Sequence, residues 1–293
     1  MLPPVATRLM PVITSPANPR VKRVVKLRKS AGSGGRRSTG RFLAEGAREV
    51  SRAMAAGIAV EELFVCRDLA GAGAGADAAG VAAEHAAAAG SEVIEVNEAV
   101  LRKMSYHREP EGLLAVCVRP GTGLDRLPAV NDGTLWLVAV GTEKPGNLGA
   151  MARTADAAGC SAVIAAGTPV DPFHPNALRA STGAVFALPV VTCGEDEARA
   201  ALRERGVRLL AAAVDGAVAW DDADVGGAVA IAIGAEDAGL SPAWGEAAAA
   251  SGGATLRIDA AGRVVDSLNA SVAAGVLLFE SVRRRRISGT MPD

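Results

Sequence analysis

The sequence has few aromatics. They make up 3% of the 293 residues, and Tyr106 is the lone tyrosine. That scarcity excludes a protein that grips bases chiefly through many stacked rings. Four cysteines, at 66, 117, 160 and 193, form no Cys-x-x-Cys pair. They read as reduced, mostly buried thiols, not as a disulfide scaffold or a zinc ribbon. The three histidines, at 85, 107 and 174, are scattered without ligand spacing, so no metal site is expected. No run of 18 apolar residues occurs, and the first residues lack the apolar core of a signal peptide. The expected setting is therefore the cytoplasm, with no membrane partner. Lysine is rare beside arginine, 5 against 26. With the abundant Ala and Gly, this bias reflects a GC-rich coding sequence more than a function.

What is present is an ordinary globular balance, 49% apolar and 22% charged, in a length suited to about two domains. The net charge of −1 hides an asymmetry. Residues 1–44 hold ten basic and no acidic side chains; the other 249 hold 21 basic and 32 acidic. Within the basic arm, Arg20, Lys22, Arg23, Lys26, Arg28 and Lys29 alternate with Val21, Val24, Val25 and Leu27. This pattern predicts a helix with one packed face and one face able to neutralise phosphates. Arg36, Arg37 and Arg41 extend the charge, and a solvated tail is the plainer alternative. A second basic run, Arg283–Arg286, fits either a phosphate contact or cations favoured at a helix C-terminus.

Short strand and helix signals alternate over 41–119. Strands are expected at 41–44, 60–66, 91–96 and 113–118, with helices at 47–56 and toward 90. A Pro/Gly/Asn cluster at 120–133 reads as a linker. Regular alternation follows. Strands are expected at 134–140, 161–165, 185–191, 207–214, 228–234 and 255–258, with helices between and a closing helix over 267–285. The expected class is α/β, with a mostly parallel sheet covered on both faces. Ligands in such sheets bind at the carboxyl ends of strands. Three loops follow such ends. The first holds Asn147, placed to cap a helix, and Arg153. The second is a Gly-flanked acidic turn, Gly234-Ala-Glu236-Asp237, before Ser241-Pro242. The third leads to Ser267, Leu268, Asn269 and Ser271 at the head of an apolar helix. Each has a plain capping or turn reading on its own.

Taken in order, these loops resemble the three motifs of the SpoU (TrmH-like) RNA ribose 2′-O-methyltransferases. The matching text is N-x-G-x-x-x-R-T at 147–154, I-G-A-E-x-x-G-L-S at 233–241 and S-L-N-x-S-V-A-x-x-x-x-L-F-E at 267–280. Arg179 to Val190 and the stretches beginning at Ile13 and Arg41 are also similar, so the likeness covers nearly the whole chain. Ala270 stands where the family often has Val, a slight change. The resemblance implies a C-terminal SPOUT methyltransferase domain (134–293) with a deep trefoil knot and a smaller N-terminal L30e-like α/β domain. Residues 1–119 would then hold the basic helix and that RNA-binding domain. It further implies S-adenosylmethionine as methyl donor, no metal, and a homodimer formed through the C-terminal domain. Gly234, Ile258 and Leu268 match donor-contacting positions. Asn147, Arg153, Glu236, Ser267 and Asn269 match the active-site set. In that scheme Arg153 binds a phosphate and stabilises the oxyanion, while Asn147 and Glu236 hold Arg153 and the loops.

The N-terminal half and the composition resemble members acting on 23S ribosomal RNA, including the antibiotic-resistance branch with a uridine target. Transfer RNA is the alternative substrate, and a non-catalytic RNA- or ribosome-binding protein is the alternative function. The loop Ser105–Gly112 lies where the family's small domain approaches RNA, or is an ordinary polar loop. Gly71-Ala-Gly73-Ala-Gly75 imitates a dinucleotide fingerprint but lacks an acidic partner on a following strand.

Overall fold

The computed structural model describes residues 12–29, 39–71, 73–259 and 267–289. Of the expected basic arm, Arg36 and Arg37 lie outside the described residues. The chain divides into two compact units, 1–120 and 121–293.

The first unit begins with helix α1 (Pro19–Lys29), which buries Val21, Val24 and Leu27. These valines and leucine join Phe64, Ile94, Leu101 and Leu114 in one core. Burying each such side chain is worth about 2 kcal/mol, so an apolar seam, not charge, seats the helix. The sheet holds β1 (Arg41–Glu45), β2 (Val60–Val65), β3 (Glu92–Glu95) and β4 (Leu113–Val118) in the order β1-β4-β2-β3. β4 runs antiparallel to both neighbours, and β2 pairs β3 in parallel. The helices are α2 (Ala47–Ala55), the short α3 (Arg67–Ala70), α4 (Ala74–Ala88) and α5 (Glu98–Met104). α5 escaped the sequence reading because its seven residues hold too few turns for a period to show. Its start is nonetheless marked, since the Asn97 side chain accepts from the Val100 N–H at 3.0 Å.

The second unit is a seven-stranded, all-parallel sheet. Its strands are β5 (Leu135–Val140), β6 (Ala162–Ala166), β7 (Val190–Cys193), β8 (Arg208–Ala212), β9 (Val218–Ala219), β10 (Val229–Ile233) and β11 (Ala254–Arg257). Their order is β7-β6-β5-β10-β8-β11-β9. β5 and β10 are almost wholly apolar, as strands covered on both faces must be. The chain builds outward from β5 to β7, crosses to the other side at β8, and later inserts β10 between β5 and β8. The β5/β10 boundary is therefore a topological switch point. The helices are α6 (Pro145–Ala157), α7 (Pro175–Ser181), α8 (Ala184–Ala187), α9 (Glu195–Glu204), α10 (Pro242–Ala250) and α11 (Ala270–Ile287). Trp136 and Trp244, both fully buried, anchor the core beside Val138, Ile164 and Leu209.

Two expectations change. The strand expected at 185–191 is helix α8 followed by β7, because Thr182 and Gly183 adopt left-handed backbone and turn α7 directly into another short helix. The 120–133 stretch packs within the second unit instead of spanning freely. Thr122 receives the Thr192 N–H at 2.7 Å, and Leu127 is buried. No described helix is long and apolar enough to cross a membrane.

Candidate functional site

The loops after β5 and β10 emerge side by side at the switch point. Gly234 ends β10 and has no room for a side chain. A Cβ there would lie 2.2 Å from the Gly239 carbonyl carbon, because the 234–240 loop folds back on itself. The Gly239 N–H closes that loop on the Ala235 oxygen at 3.0 Å. The glycine is thus demanded by the loop's own return. Ser241 and Pro242 then open α10 in the N-cap and N1 positions, as the sequence suggested.

The tight turn delivers Glu236 to the centre of all three motifs. Its carboxylate accepts from Lys144 Nζ at 2.5 Å and from Asn147 Nδ2 at 3.1 Å, both on the β5 side. It also accepts from Asn269 Nδ2, at the head of α11. The Lys144 ammonium first, then the Asn147 amide, holds the Glu236 carboxyl below its ordinary range, and the same ion pair raises Lys144. The pair stands at the surface and adds little to stability. Its effect is positional: one ionised carboxylate registers three loops against one another.

Asn147 does not cap its helix. Lys144 occupies the N-cap and Pro145 follows it, which leaves the Asn147 side chain free to reach Glu236. Lys144 was missed because a lone lysine in a Gly/Pro loop carries no periodic signal. Gly149 of the first motif is a packing residue. Its Cβ would lie 2.3 Å from the Ala177 carbonyl oxygen, so α6 and α7 meet only through a bare backbone. Thr154 likewise faces Gly275 of α11.

Arg153 is not gathered into this cluster. It lies exposed on α6, six residues past Asn147 and so about 120° around the helix. Among the described residues no hydrogen bond joins it to Asn147 or Glu236, whose cationic partner is Lys144. The expectation that these two side chains hold Arg153 therefore has no hydrogen bond behind it among the described residues. Ser267 and Leu268 are exposed just before Asn269, which takes the N-cap that Ser267 could have filled. Ile258 is half-buried at the end of β11. The segment between Ile258 and Ser267 falls largely on 260–266, outside the described residues. Thr142, Lys144, Asn147, Gly234, Glu236 and Ala270 line the cleft between the loops.

The basic residues sort by type. Arg20 pairs with Glu62 at 3.3 Å and Glu92 at 2.6 Å, and Arg23 pairs with Glu62 at 2.6 Å. Arg28 donates to the Ser105 carbonyl at 2.6 Å. The guanidinium fork suits such fixed partners. Lys22, Lys26 and Lys29, at i, i+4 and i+7, are exposed on the opposite face of α1 from its buried seam. Among the described residues they form no ion pair. Of the six cations expected to face phosphates, these three lysines are the ones with no hydrogen bond or ion pair to the protein among the described residues. In the Arg283–Arg286 run, Arg283 and Arg284 pair with Glu280 and Arg285 is buried, so most of that run is structural.

Three thiols are held toward their neutral form. Burial pushes Cys117 and Cys160 up to about 12 and Cys193 to about 11. Among the described residues no group of His, Cys, Asp and Glu is placed to hold a metal ion.

Against known proteins, residues 134–279 match the SpoU rRNA Methylase family, and residues 18–115 match an MRM3-like substrate binding domain. The chain is 34% identical over 204 residues to a 23S rRNA (guanosine-2′-O-)-methyltransferase from Burkholderia, covering 68% of this chain and 81% of that protein. It is 37% identical over 189 residues to the 23S rRNA (uridine(2479)-2′-O)-methyltransferase of Streptomyces viridochromogenes, covering 61% and 62%. Among solved structures, an rRNA methyltransferase from Sinorhizobium meliloti with bound AdoMet superposes with a TM-score of 0.80. It is 31% identical, over 93% of this chain and 97% of that one.

Proposed function

Because the chain belongs to the SpoU rRNA methylase family, we propose that it methylates a ribose 2′-hydroxyl of 23S rRNA with S-adenosylmethionine as donor. The observation that carries this reading is the convergence of Lys144, Asn147 and Asn269 on Glu236, which draws the three motif loops to one switch-point cleft.

The cleft offers the donor both small and charged surface: Gly234, Ala235, Ala238 and Ala270 line it beside Glu143, Lys144, Glu236 and Asp237. Ile258 and Leu268 are partly or fully exposed apolar residues of the third loop. In this reading the backbone at Gly234 and the side chains of Ile258 and Leu268 hold the donor. The sulfonium supplies an electrophilic methyl group, so a metal has no task to perform. The rest is positioning of the acceptor. The hydroxyl oxygen gains the methyl and gives up a proton. Arg153, exposed and uncommitted among the described residues, binds the adjacent phosphate and stabilises charge on that oxygen. Arginine stays charged, so the proton passes to another acceptor such as solvent. Ser267 and Asn269 add polar contacts at the mouth of the cleft. A trefoil knot in the catalytic unit and an L30e-like form for the first unit belong to the same reading.

The substrate-binding match over 18–115 and the 23S-directed relatives favour ribosomal over transfer RNA. Likeness to the Streptomyces enzyme favours a uridine target, and a ribosome-protecting resistance role belongs to the same reading. The cytoplasm, where ribosomes are made, is the matching location. A homodimer through the C-terminal domain is supported by exposed Val272 and Phe279, seven residues apart on one face of α11. Incubation of the protein with labelled donor and unmethylated total RNA tests the reading. Mapping of 2′-O-methyl groups should find one new site in 23S rRNA; label in transfer RNA alone, or none, overturns it.

A further inference from the structure

The first unit holds one exposed aromatic side chain on a loop fixed from three sides. Tyr106 is 40% exposed, and the His107 ring stands edge-on to it with centroids 5.6 Å apart. Beneath them lies Glu45, at the end of β1 and only 9% exposed. Its carboxylate accepts from the Ser105 hydroxyl, from the Tyr106 N–H at 2.7 Å and from the His107 N–H at 3.4 Å. From the helix side, Arg28 donates to the carbonyls of Lys103 at 3.1 Å and Ser105 at 2.6 Å. Arg102 donates to the Arg108 carbonyl at 3.3 Å.

Burying a carboxylate is costly, and this one is committed to the backbone of a surface loop. The loop could be solvated without it. What the arrangement secures is a rigid mount for an aromatic ring. A mounted ring loses little conformational freedom when something binds it. The helix side of the neighbourhood is cationic, while the loop itself carries exposed Glu109 and Glu111. Arg28 ties the C-terminal end of α1 to Ser105, so Lys29 and Tyr106 flank a single latch. Lys26 and Lys22 continue along the helix from there. Lysines without carboxylate partners beside a fixed aromatic fit phosphates and a base, not a protein surface.

We propose that Tyr106 and His107 form a stacking platform for an unpaired base of the RNA substrate, with Lys22, Lys26 and Lys29 holding flanking phosphates. Glu45 and Arg28 are positioning residues for that platform. The inference rests on the reading of the chain as an RNA methyltransferase. Stacking tolerates any base, so the platform adds affinity and leaves the choice of nucleotide to the other unit.

The test uses the full chain, 23S rRNA in filter binding over a salt series, and calorimetric titration of S-adenosylmethionine. Tyr106→Ala should weaken rRNA binding by about 5- to 150-fold, the loss of one stacked base. Its dependence on salt should match the wild type, because no cation is removed. Tyr106→Phe keeps the ring and should bind normally. The Lys22→Ala/Lys26→Ala/Lys29→Ala variant should flatten the log–log salt slope by about 2. Glu45→Gln should raise the KM for rRNA and leave kcat unchanged. Donor affinity should be that of the wild type in every variant, which reports an intact second unit, and a wild-type thermal melt reports an intact first one. Wild-type rRNA affinity in Tyr106→Ala, or equal losses in the Ala and Phe variants, overturns the platform. An unchanged salt slope overturns the lysine row. If Tyr106 governs rRNA binding but no methyl reaches rRNA, the methyltransferase reading fails and the platform stands. If methylation proceeds and Tyr106 is neutral, the platform alone fails.

Discussion

Asn269 donates its side-chain amide to Glu236 while its amide oxygen accepts from the Ser271 N–H at 3.0 Å and the Ser271 hydroxyl at 2.6 Å. One side chain thus caps the last helix and ties that helix to the turn after β10. Glu236→Ala removes the shared acceptor of Asn269, Asn147 and Lys144. The cluster is at the surface, so thermal stability should move only slightly. Alignment of donor and acceptor should suffer far more. A displacement of about 1 Å can cost 10²-fold, so single-turnover methyl transfer should fall by about that factor. Wild-type turnover in this variant would remove the carboxylate from the mechanism.

The same carboxylate sets a pH window. Lys144 and the two amides hold Glu236 below its ordinary 4.5. A group whose folded pKa is depressed gives its full stabilisation above the ordinary value and loses it as pH falls through the folded one. The stability difference between wild type and Glu236→Gln should therefore stay constant from neutral pH down to about 4.5, then close below it. Urea melts of both proteins at several pH values measure this. A difference that grew on acidification would contradict the network.

Arg153 stands apart from the Glu236 cluster, so its removal should leave the cluster and the donor site intact. Arg153→Ala should bind S-adenosylmethionine within about twofold of wild type and lose about 10²–10³ in the rate of methyl transfer. Arg153→Lys keeps the charge without the fork and should recover only part of that loss. Calorimetry and single-turnover assays separate the two effects.

The parallel sheet was legible because buried strands such as Leu135–Val140 and Val229–Ile233 are continuous apolar runs between Gly-marked loops. The three loops were legible through their glycines and small polar residues. Their hub was not, because the contacts from Glu236 to Lys144, Asn147 and Asn269 span 92, 89 and 33 residues of chain in no local pattern. Hidden for the same reason was the division of the basic helix. Arg20 and Arg23 look like RNA ligands until Glu62 and Glu92, on other strands, claim them. Val185–Val191 misled because an apolar run of that length reads equally as strand or helix, and only the left-handed turn at Thr182 and Gly183 decides.

The run Arg283–Arg286 contains the largest predicted stability effect. Arg285 is 4% exposed, and its guanidinium donates to the carbonyls of Val225 at 3.0 Å, Gly133 at 2.8 Å, Thr134 at 3.1 Å and Gly227 at 2.7 Å. Those carbonyls belong to the loops entering β5 and β10, so the final helix stitches the start of both central strands. Burial pushes the guanidinium pKa down, yet an arginine so placed stays charged. Arg285→Met fills the space but takes the guanidinium donors from four buried or half-buried carbonyls, of which Thr134 alone keeps the Val229 N–H. Each unsatisfied group costs about 1–3 kcal/mol and the losses overlap, so a total of about 3–5 kcal/mol is expected. Arg285→Lys has three donors on one point and cannot reach four separated oxygens. It should recover less than half. Denaturant melts of the three proteins check this order; a Met variant as stable as wild type would show the carbonyls hydrated and the stitch unnecessary.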